Sequence, residues 1–525
     1  MKKLQLLGLS FLSGLFCWIA WPVSPMTFFI FFAFVPLLFV AGAVKKRTSF
    51  FGYSFITLLI WNASTTWWMW NSTDVGSIAA IAANSLIMCL PWWGYHSVKN
   101  KFSQPISYTA LITFWMLFEH VHLNWQLSWP WLTLGNVFAS HPDWVQWYEY
   151  TGVSGGTLWV LLMNVLVFEV VSKIKREEIK LKIITTGLAV LIVPFIISML
   201  CRPSNNESNQ TVNQNVLIVQ PNIDPYQKFE TSSISQQIQK LVALSEQNID
   251  TNTQLILWPE TAMSADDEEK NTPLNIYYQP VFQFLQRHQN VTLLSGLEAY
   301  KMYGRDKETA TARATNDGLY YDAFNAAVFA KANAPFSYYH KMKLVPGVES
   351  LPTFLNFMAP VFEKFGGSTG GYGRDTGAVV FKTPGNPYAV APVICYESIY
   401  GEHVTDYVKK GANLIGVITN DGWWGNTPGH KQHLQYARLR AIETRRWVAR
   451  SANTGISAVI NDKGQILETQ PWNIAAVIKY SIPIMSKQTF YVCFGDYLYR
   501  AASLLGILIL IMNIVTALKR RFIKK

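Results

Sequence analysis

The sequence has little charge and few cysteines. Only 15% of its 525 residues are charged, against roughly 25% in an average soluble domain. Half of the residues are hydrophobic, which excludes an intrinsically disordered chain. The five cysteines are too sparse for a disulfide framework, and they show no Cys/His spacing typical of a zinc site. We therefore expect a membrane protein without a metal or other cofactor.

Long apolar segments account for the low charge. Runs of roughly 17–22 residues, the length that crosses a bilayer core, predict eight transmembrane helices. They lie near residues 4–21, 26–44, 50–70, 75–95, 106–123, 155–172, 183–200 and 499–518. The first follows two lysines but lacks the small-residue cleavage site of a signal peptide, so we expect it to remain in the chain.

The basic residues predict how these helices are oriented. Seventeen Lys and Arg residues flank the helices on one side, whereas the alternate loops 22–25, 71–74 and 124–154 contain none. Because positive residues mark the cytoplasmic side, both termini should be cytoplasmic. These clusters also explain much of the net charge of +11 without a nucleic-acid-binding surface. Cys201 and Cys493 should then lie near the external face, and their positions leave open whether they pair.

The predicted domains follow from these patterns. They are a seven-helix bundle over 1–200, a polar linker over 201–213, an extracytoplasmic domain over 214–485, and a last helix with a basic tail over 486–525. Within the bundle, residues 124–154 are rich in Trp and Tyr, as is typical of segments at headgroup depth. This interfacial arm is either a simple aromatic anchor or a lipid-binding surface.

The extracytoplasmic segment has the pattern of an α/β domain. Short β-rich runs occur at 216–219, 255–258, 291–294, 389–394, 414–419 and 456–460. They alternate with amphipathic helical patterns at 234–247, 277–288 and 432–446. This alternation predicts a core of largely buried strands covered by helices.

Reactive side chains follow two of these strands. Glu260 comes after the run that ends at Trp258, and Cys395 comes directly after Ile394. Ligands of parallel sheets bind at the carboxyl ends of the strands, and Lys341 supplies a cation in a loop. Each residue alone is more typical of an ordinary core or surface position. Together they are the base, nucleophile and oxyanion donor that thiol-based acyl chemistry requires.

Several motifs resemble those of a known superfamily. The motifs Trp258-Pro259-Glu260, Lys341 with Leu344-Val345-Pro346, and Cys395-Tyr396-Glu397 are similar to the Glu–Lys–Cys signature of nitrilases. Further motifs resemble one branch of that superfamily, the apolipoprotein N-acyltransferases. These are Ser128-Trp129-Pro130-Trp131-Leu132, Asn420-Asp421-Gly422-Trp423-Trp424-Gly425, Gln432-His433, Arg438-Leu439-Arg440-Ala441-Ile442-Glu443 and Arg450-Ser451-Ala452-Asn453-Thr454-Gly455.

The resemblance implies a fold and a reaction. The fold would be an α-β-β-α nitrilase-like sandwich on an eight-helix bundle in the bacterial inner membrane. Cys395 would take a fatty acyl group from a phospholipid as a thioester. The acceptor would be the N-terminal amine of the diacylglyceryl-cysteine of an apolipoprotein. Glu260 would be the general base and Lys341 the oxyanion donor. No cofactor is implied, and a monomer suffices.

The resemblance also implies supporting residues. Glu349 would assist Lys341 or the second proton transfer, while Tyr396 and Glu397 would shape the pocket. Possible acyl or lipid contacts are Phe229, Trp423, Trp129 and Trp131.

Two positions depart from the family pattern. Lys343 stands where a His is usual, and Phe229 stands where a Trp is usual.

Two other functions compete with acyl transfer. A membrane-tethered carbon–nitrogen hydrolase would use the same three residues on amides. A transporter would need charged or broken segments inside several spans, and these spans have charged residues only near their ends. The preferred phospholipid headgroup and acyl chain stay open, as does the way in which the apolipoprotein docks.

Overall fold

The structure is a computed structural model that describes residues 1–174, 181–203, 214–225, 234–351, 355 and 371–522. The chain divides into two compact units. The helical unit comprises Met1–Trp70, Asp74–Arg202 and Phe494–Lys525, and the sheet unit comprises Asn71–Thr73 and Pro203–Cys493. The sheet unit thus begins within the predicted linker and ends a few residues after the predicted boundary at 485/486.

The described residues form helices of very different lengths. They are α1 (Lys3–Ala20), α2 (Val35–Ala43), α3 (Arg47–Thr66), α4 (Asp74–Lys99), α5 (Gln104–Asn124), α6 (Tyr148–Thr151), α7 (Val153–Ile174), α8 (Leu181–Leu200), α9 (Ile234–Asn248), α10 (Gln279–Arg287), α11 (Gly401–Lys409), α12 (Pro428–Thr444), α13 (Phe490–Phe494) and α14 (Tyr497–Phe522). The helices α1–α8 and α14 belong to the helical unit, and α9–α12 belong to the sheet unit.

Five helices among the described residues are long and apolar enough to cross a membrane. They are Lys3–Ala20, Asp74–Lys99, Val153–Ile174, Leu181–Leu200 and Tyr497–Arg520. The helices α3 and α5 also lie where spans are predicted and have 20 and 21 residues, but they carry more polar side chains. Many of those side chains, such as Ser54, Thr57 and Glu119, are buried inside the unit.

The second predicted span, 26–44, is not one continuous helix. A 3-10 helix over Thr27–Phe32 is followed by the nine-residue α2, with the break at Ala33 and Phe34. Asn164 of α7 pairs the backbone there, because its Nδ2 donates to Ile30 O (2.8 Å) and its Oδ1 accepts from Phe34 N (2.7 Å). Irregular backbone at membrane depth needs such internal partners, since lipid supplies none.

The aromatic arm is packed into the helical unit. Its 3-10 turns over Pro130–Leu132 and Leu134–Ser140 are almost entirely buried. Trp131 is only 3% exposed and its ring lies 4.8 Å from that of Trp68 in an edge-on contact. Trp131 therefore has little exposed surface, and its contact with lipid stays a prediction. Aromatic density alone does not distinguish an interfacial anchor from a buried core.

The sheet unit contains two β-sheets among its described residues. The strands are β1 (Asn215–Gln220), β2 (Thr253–Leu257), β3 (Met263–Glu268), β4 (Thr292–Gly304), β5 (Arg313–Ala314), β6 (Tyr320–Lys331), β7 (Ser337–His340), β8 (Val390–Ile394), β9 (Leu414–Thr419), β10 (Trp447–Ala452), β11 (Ala458–Ile460), β12 (Ile466–Thr469) and β13 (Ala476–Ser481). One sheet has the order β13-β1-β2-β4-β6-β5, with β3 beside β4 and β7 beside β6. The other has the order β12-β11-β10-β9-β8.

The two sheets pack face to face with helices outside, as the predicted α-β-β-α sandwich requires. Along β1, Val216 and Ile218 enter the core shared with β8, β9 and β10, whereas Leu217 and Val219 face the helices α9 and α10. This alternation follows from the two-residue period of a strand. The central strands β1, β2 and β4 are parallel, as are β8, β9 and β10. All six predicted strands coincide with observed ones, and the fold class is confirmed.

Candidate active site

Cys395 lies at a strained turn where β8 ends. It is buried, and its φ of +50° is in the left-handed region that residues with a side chain seldom adopt. A 3-10 helix over Cys395–Ile399 begins at this residue, so the chain turns sharply away from the strand. Burial and the charge of Glu260 raise the pKa of the thiol, whereas Lys341 lowers it. The net shift is upward, so the resting thiol is protonated and needs a base.

Glu260 lies just beyond the end of β2 and is 7% exposed. Its Oε1 accepts hydrogen bonds from Lys341 Nζ (3.0 Å) and Asn325 Nδ2 (2.8 Å), and its Oε2 accepts one from Asn420 N (3.0 Å). All its partners are donors, which fixes the orientation of this buried carboxylate.

A glycine on the neighbouring strand makes room for the Glu260 turn. A Cβ built on Gly296 would lie 2.6 Å from Glu260 Cα and 2.3 Å from Thr261 N. Any larger residue there would push the turn away from β4. The sequence pattern did not single out Gly296, because the contact exists only once β4 pairs with β2.

Lys341 directly follows β7 and is 1% exposed. Its Nζ donates to Glu260 Oε1 and, at 2.7 Å, to Glu349 Oε1. Burial alone lowers the pKa of Lys341, but the two carboxylates outweigh burial and raise it above its ordinary value. The lysine is therefore a permanent cation between two anions, which suits an oxyanion donor rather than a base.

Lys343 does not lie beside the two carboxylates that pair with Lys341. Its Nζ lies 5.0 Å above the ring of Tyr400, a cation–π contact away from the two carboxylates. Tyr400 in turn packs edge-on against the buried Tyr396 at 5.3 Å. Of the two lysines in this loop, Lys341 is the one that contacts Glu260.

Asn325 and Glu349 complete the cluster around the lysine. Asn325 of β6 donates through Nδ2 to both Glu260 Oε1 and Glu349 Oε1, the second at 3.0 Å, and its backbone oxygen accepts from Lys341 N. Glu349 also accepts from Val345 N through Oε2 (2.8 Å), which ties it to its own loop. Sequence analysis missed Asn325, since it lies inside a strand that the β-rich runs did not predict.

The carboxylate of Glu397 accepts hydrogen bonds from the backbone next to both Cys395 and Lys341. It is fully buried, and its Oε2 accepts from Ile394 N (2.8 Å), immediately before Cys395. Its Oε1 accepts from Met342 N (2.7 Å), immediately after Lys341. Burial raises the pKa of Glu397, but the charge of His403 and these hydrogen bonds outweigh it and lower the pKa. Glu397 therefore positions the chain next to Cys395 and Lys341.

Cys395, Asp421 and His433 form a further cluster on the other side of the thiol. Their ligating atoms all lie within 4.8 Å of one another, and a thiol, a carboxylate and an imidazole can bind zinc. Arg450 Nη2, however, lies 2.7 Å from Asp421 Oδ2 and 3.0 Å from His433 Nδ1. A guanidinium in this position neutralises the carboxylate and repels a cation. We interpret the cluster as a buried ion network.

The expected lipid contacts have different outcomes. Trp423 follows β9 and is 38% exposed. Trp129 is partly buried in the helical unit, and its ring lies 6.5 Å from that of Trp131. Phe229 lies outside the described residues. Of the three that the structure describes, Trp423 has the largest exposed fraction.

Comparisons with known proteins show the family to which the chain belongs. Residues 216–488 match the carbon–nitrogen hydrolase family, and residues 13–166 match the apolipoprotein N-acyltransferase N-terminal domain. The apolipoprotein N-acyltransferase of Chlorobaculum tepidum is 30% identical over 93% of this chain and 92% of its own length. Those of Photobacterium profundum and Pasteurella multocida are 28% and 26% identical over 85% and 92% of this chain, and 83% and 90% of their own lengths. The chain belongs to the apolipoprotein N-acyltransferase family, within the carbon–nitrogen hydrolases.

Proposed function

We propose that this multi-pass membrane protein transfers a fatty acyl group from a phospholipid to the N-terminal amine of the diacylglyceryl-cysteine of apolipoproteins. The observation that carries the proposal is the buried Glu260–Lys341–Glu349 cluster, together with the Cys395 thiol at the end of a strand. Membership in the family supports the lipoprotein acceptor, and the apolar helices support access to a lipid donor.

The first half of the reaction forms a thioester. Glu260 takes the proton of the Cys395 thiol, and the thiolate attacks the ester carbonyl of the phospholipid. Lys341 stabilises the resulting oxyanion. When the tetrahedral intermediate collapses, the ester C–O bond breaks and Glu260 returns the proton to the departing lysophospholipid oxygen.

The second half passes the acyl group to the amine. The free α-amine of the acceptor attacks the thioester carbonyl, and Glu260 takes a proton from the attacking nitrogen. The C–S bond then breaks, the thiolate is reprotonated, and an N-acylated lipoprotein is released. Glu349 and Asn325 hold Lys341 and Glu260 in place during both halves of the reaction. Glu397 and Tyr396 support the turn that carries the nucleophile.

We further propose that the sheet unit lies outside the cytoplasm and both termini lie inside. The seventeen Lys and Arg residues on one side of the predicted helices support this orientation. Cysteine labelling with a membrane-impermeant reagent in whole cells tests it. The exposed Cys493 should react from outside, and a cysteine introduced after Lys2 should react only in lysed cells. The reverse pattern would overturn the orientation.

Trapping of the acyl-enzyme tests the reaction itself. Purified full-length protein is incubated with a phospholipid labelled in its acyl chains, and covalent label that hydroxylamine releases is measured. We expect label on the wild-type protein and on Cys493→Ala, which removes an exposed cysteine, but none on Cys395→Ala. Label that persists in Cys395→Ala would reject Cys395 as the nucleophile.

The acceptor separates transfer from hydrolysis. Addition of a diacylglyceryl-cysteine peptide should discharge the adduct and produce an N-acylated peptide. If the adduct disappears equally fast without the peptide, the protein is a membrane-tethered hydrolase.

A further inference from the structure

A buried histidine contacts the backbone of the nucleophile. His433 lies on α12, and its Nε2 is 3.0 Å from the carbonyl oxygen of Cys395. Ser398 Oγ donates to the same oxygen at 2.7 Å. Ser398 Oγ also lies 2.9 Å from His433 Nε2, so the imidazole reaches this oxygen both directly and through the hydroxyl. The carbonyl of the Cys395–Tyr396 peptide is thus held by two side chains away from solvent.

His433 is itself held from its other side. Its Nδ1 lies 2.9 Å from Asp421 Oδ1, and Asp421 also accepts from Thr419 Oγ1 (2.9 Å) and Arg450 Nη2 (2.7 Å). The side chains of Asp421, His433 and Arg450 are fully buried. Burial raises the pKa of Asp421, but Arg450 and His433 outweigh it and hold the pKa well below its ordinary range. The carboxylate is thus ionised, and it fixes the orientation of the imidazole.

The turn at Cys395 needs such support. A left-handed conformation at a residue with a side chain is strained and persists only where the surroundings impose it. The peptide unit is planar, so fixing the Cys395 carbonyl also fixes the direction of the Tyr396 N–H. Glu397 restrains the chain before Cys395 through Ile394 N, and His433 restrains the chain after it.

We propose that His433 is a positioning residue for acyl transfer: oriented by Asp421 and Arg450, it holds the Cys395–Tyr396 peptide in the geometry that the tetrahedral transition states require. The inference rests on the proposed function, in which Cys395 is the nucleophile and Glu260 takes its proton. His433 has no exposed surface to offer a substrate. Its loss should therefore slow the chemical step and leave phospholipid binding unchanged.

Two substitutions of His433 distinguish a positioning role from a role in packing alone. His433→Ala removes the imidazole, whereas His433→Gln keeps a hydrogen-bonding amide at a similar reach. Because a misplacement of about 1 Å can cost roughly 100-fold, we expect His433→Ala to form the acyl-enzyme about 100-fold more slowly at saturating phospholipid. The KM for phospholipid should stay within about threefold, as expected when only the transition state is affected. His433→Gln should recover at least about tenfold of the lost rate.

The same helix offers a matched control. His430 lies three residues earlier on α12, is equally buried, and stacks on Trp472 at 4.2 Å without contacting Cys395. His430→Ala should keep the wild-type rate of acylation even if it lowers the unfolding temperature. If His433→Ala fails to fold, Asp421→Asn tests the same idea, since it preserves the shape of the side chain but weakens the hold on His433.

Alkylation of Cys395 by iodoacetamide, followed by peptide mass spectrometry, completes the test. Alkylation needs the thiol but forms no oxyanion, so its rate should be the same in the wild-type protein, His433→Ala and His433→Gln. A parallel loss of alkylation would show that His433 acts on the thiol and would overturn the proposal. Equal rates of acylation in His433→Ala and the wild type, or equal loss in His430→Ala, would also overturn it. Failure of the wild-type protein to form any adduct would instead reject the proposed function.

Discussion

At the residue scale, the site depends on a small number of buried charges that hold one another. Lys341 lies between Glu260 and Glu349, and both carboxylates accept hydrogen bonds from the amide of Asn325. A buried charge is costly unless it is paired and hydrogen-bonded. The arrangement places a base and an oxyanion donor side by side and away from water.

Asn325 should matter for catalysis although it does not react. A hydrogen bond to a charged group contributes roughly 1.5–3 kcal/mol, which corresponds to about 10- to 100-fold in rate. We therefore expect Asn325→Ala to slow acyl-enzyme formation by that factor. The matched control is Asn386→Ala, since Asn386 donates to Gln254 O and Thr292 Oγ1 and contacts none of the site residues. Equal rates for Asn325→Ala and Asn386→Ala would contradict this role.

The protonation of His340, next to Lys341, should make the stability of the fold depend on pH. Burial alone lowers its pKa, but hydrogen bonds with Asp375 and Glu269 outweigh burial and raise the pKa to about 9. A raised pKa stabilises the fold fully below the ordinary value near 6.5, and the stabilisation is lost as the pH rises through about 9. At one pKa unit per 1.36 kcal/mol, its upper limit is about 3 kcal/mol.

Thermal unfolding followed by tryptophan fluorescence measures this contribution. The unfolding temperature of the wild-type protein should fall between pH 7 and pH 10 by more than that of His340→Gln. Two parallel pH profiles would show that the imidazolium contributes nothing.

At the scale of the elements, one side chain can hydrogen-bond to the backbone of two different strand ends or loops. Glu397 connects the backbone at the end of β8 to the backbone after β7. In Glu397→Gln, one oxygen becomes an NH2 group that faces a backbone N–H. An unsatisfied buried donor costs about 1–3 kcal/mol, and the loosened turn should slow acylation by roughly 100-fold.

A surface glutamate provides the control for this substitution. Glu246 forms an exposed ion pair with Arg287 at 3.0 Å, and such pairs contribute little. Glu246→Gln should therefore have wild-type acylation and stability. An active, fully stable Glu397→Gln protein would contradict the connecting role of Glu397.

Strands differ in how far their sequence predicts them. The Val- and Ile-rich strands β1, β8 and β9 lie where β-rich runs occur, because β-branched residues favour a buried strand. The strand β6 was not predicted, since it contains four alanines together with Asp322 and Asn325. Its twelve residues form a strand because they pair with β4 along most of their length, which is a tertiary effect.

At the scale of the whole molecule, the helical unit has its own buried acidic side chain. Glu119 of α5 accepts hydrogen bonds from Trp115 Nε1 (2.9 Å), Leu134 N (2.8 Å), Thr157 Oγ1 (2.7 Å) and Tyr499 OH (2.7 Å). These donors belong to α5, the aromatic arm, α7 and α14. One carboxylate therefore links parts of the unit that are up to 380 residues apart in sequence.

Loss of this carboxylate should destabilise the helical unit. In Glu119→Gln, an NH2 group replaces one of the two side-chain oxygens. A donor then faces the neighbouring donors that hydrogen-bond to this oxygen in the wild-type protein. We expect a loss of about 1–3 kcal/mol, visible as a lower unfolding temperature in detergent micelles. Wild-type unfolding of Glu119→Gln would show that the four hydrogen bonds do not support the unit.

The sequence by itself determined the properties that depend on local patterns. Hydrophobic length located the long helices of the helical unit, although the span predicted at 26–44 is broken. The β-rich runs located six strands, and the ends of two strands carried Glu260 and Cys395. Only the tertiary structure decided which side chains meet. Asn325 contacts a residue 65 positions earlier, His433 contacts the carbonyl of a residue 38 positions earlier, and the arm is buried by helices distant in sequence. Such contacts depend on how elements pack, and packing is not encoded in any local pattern.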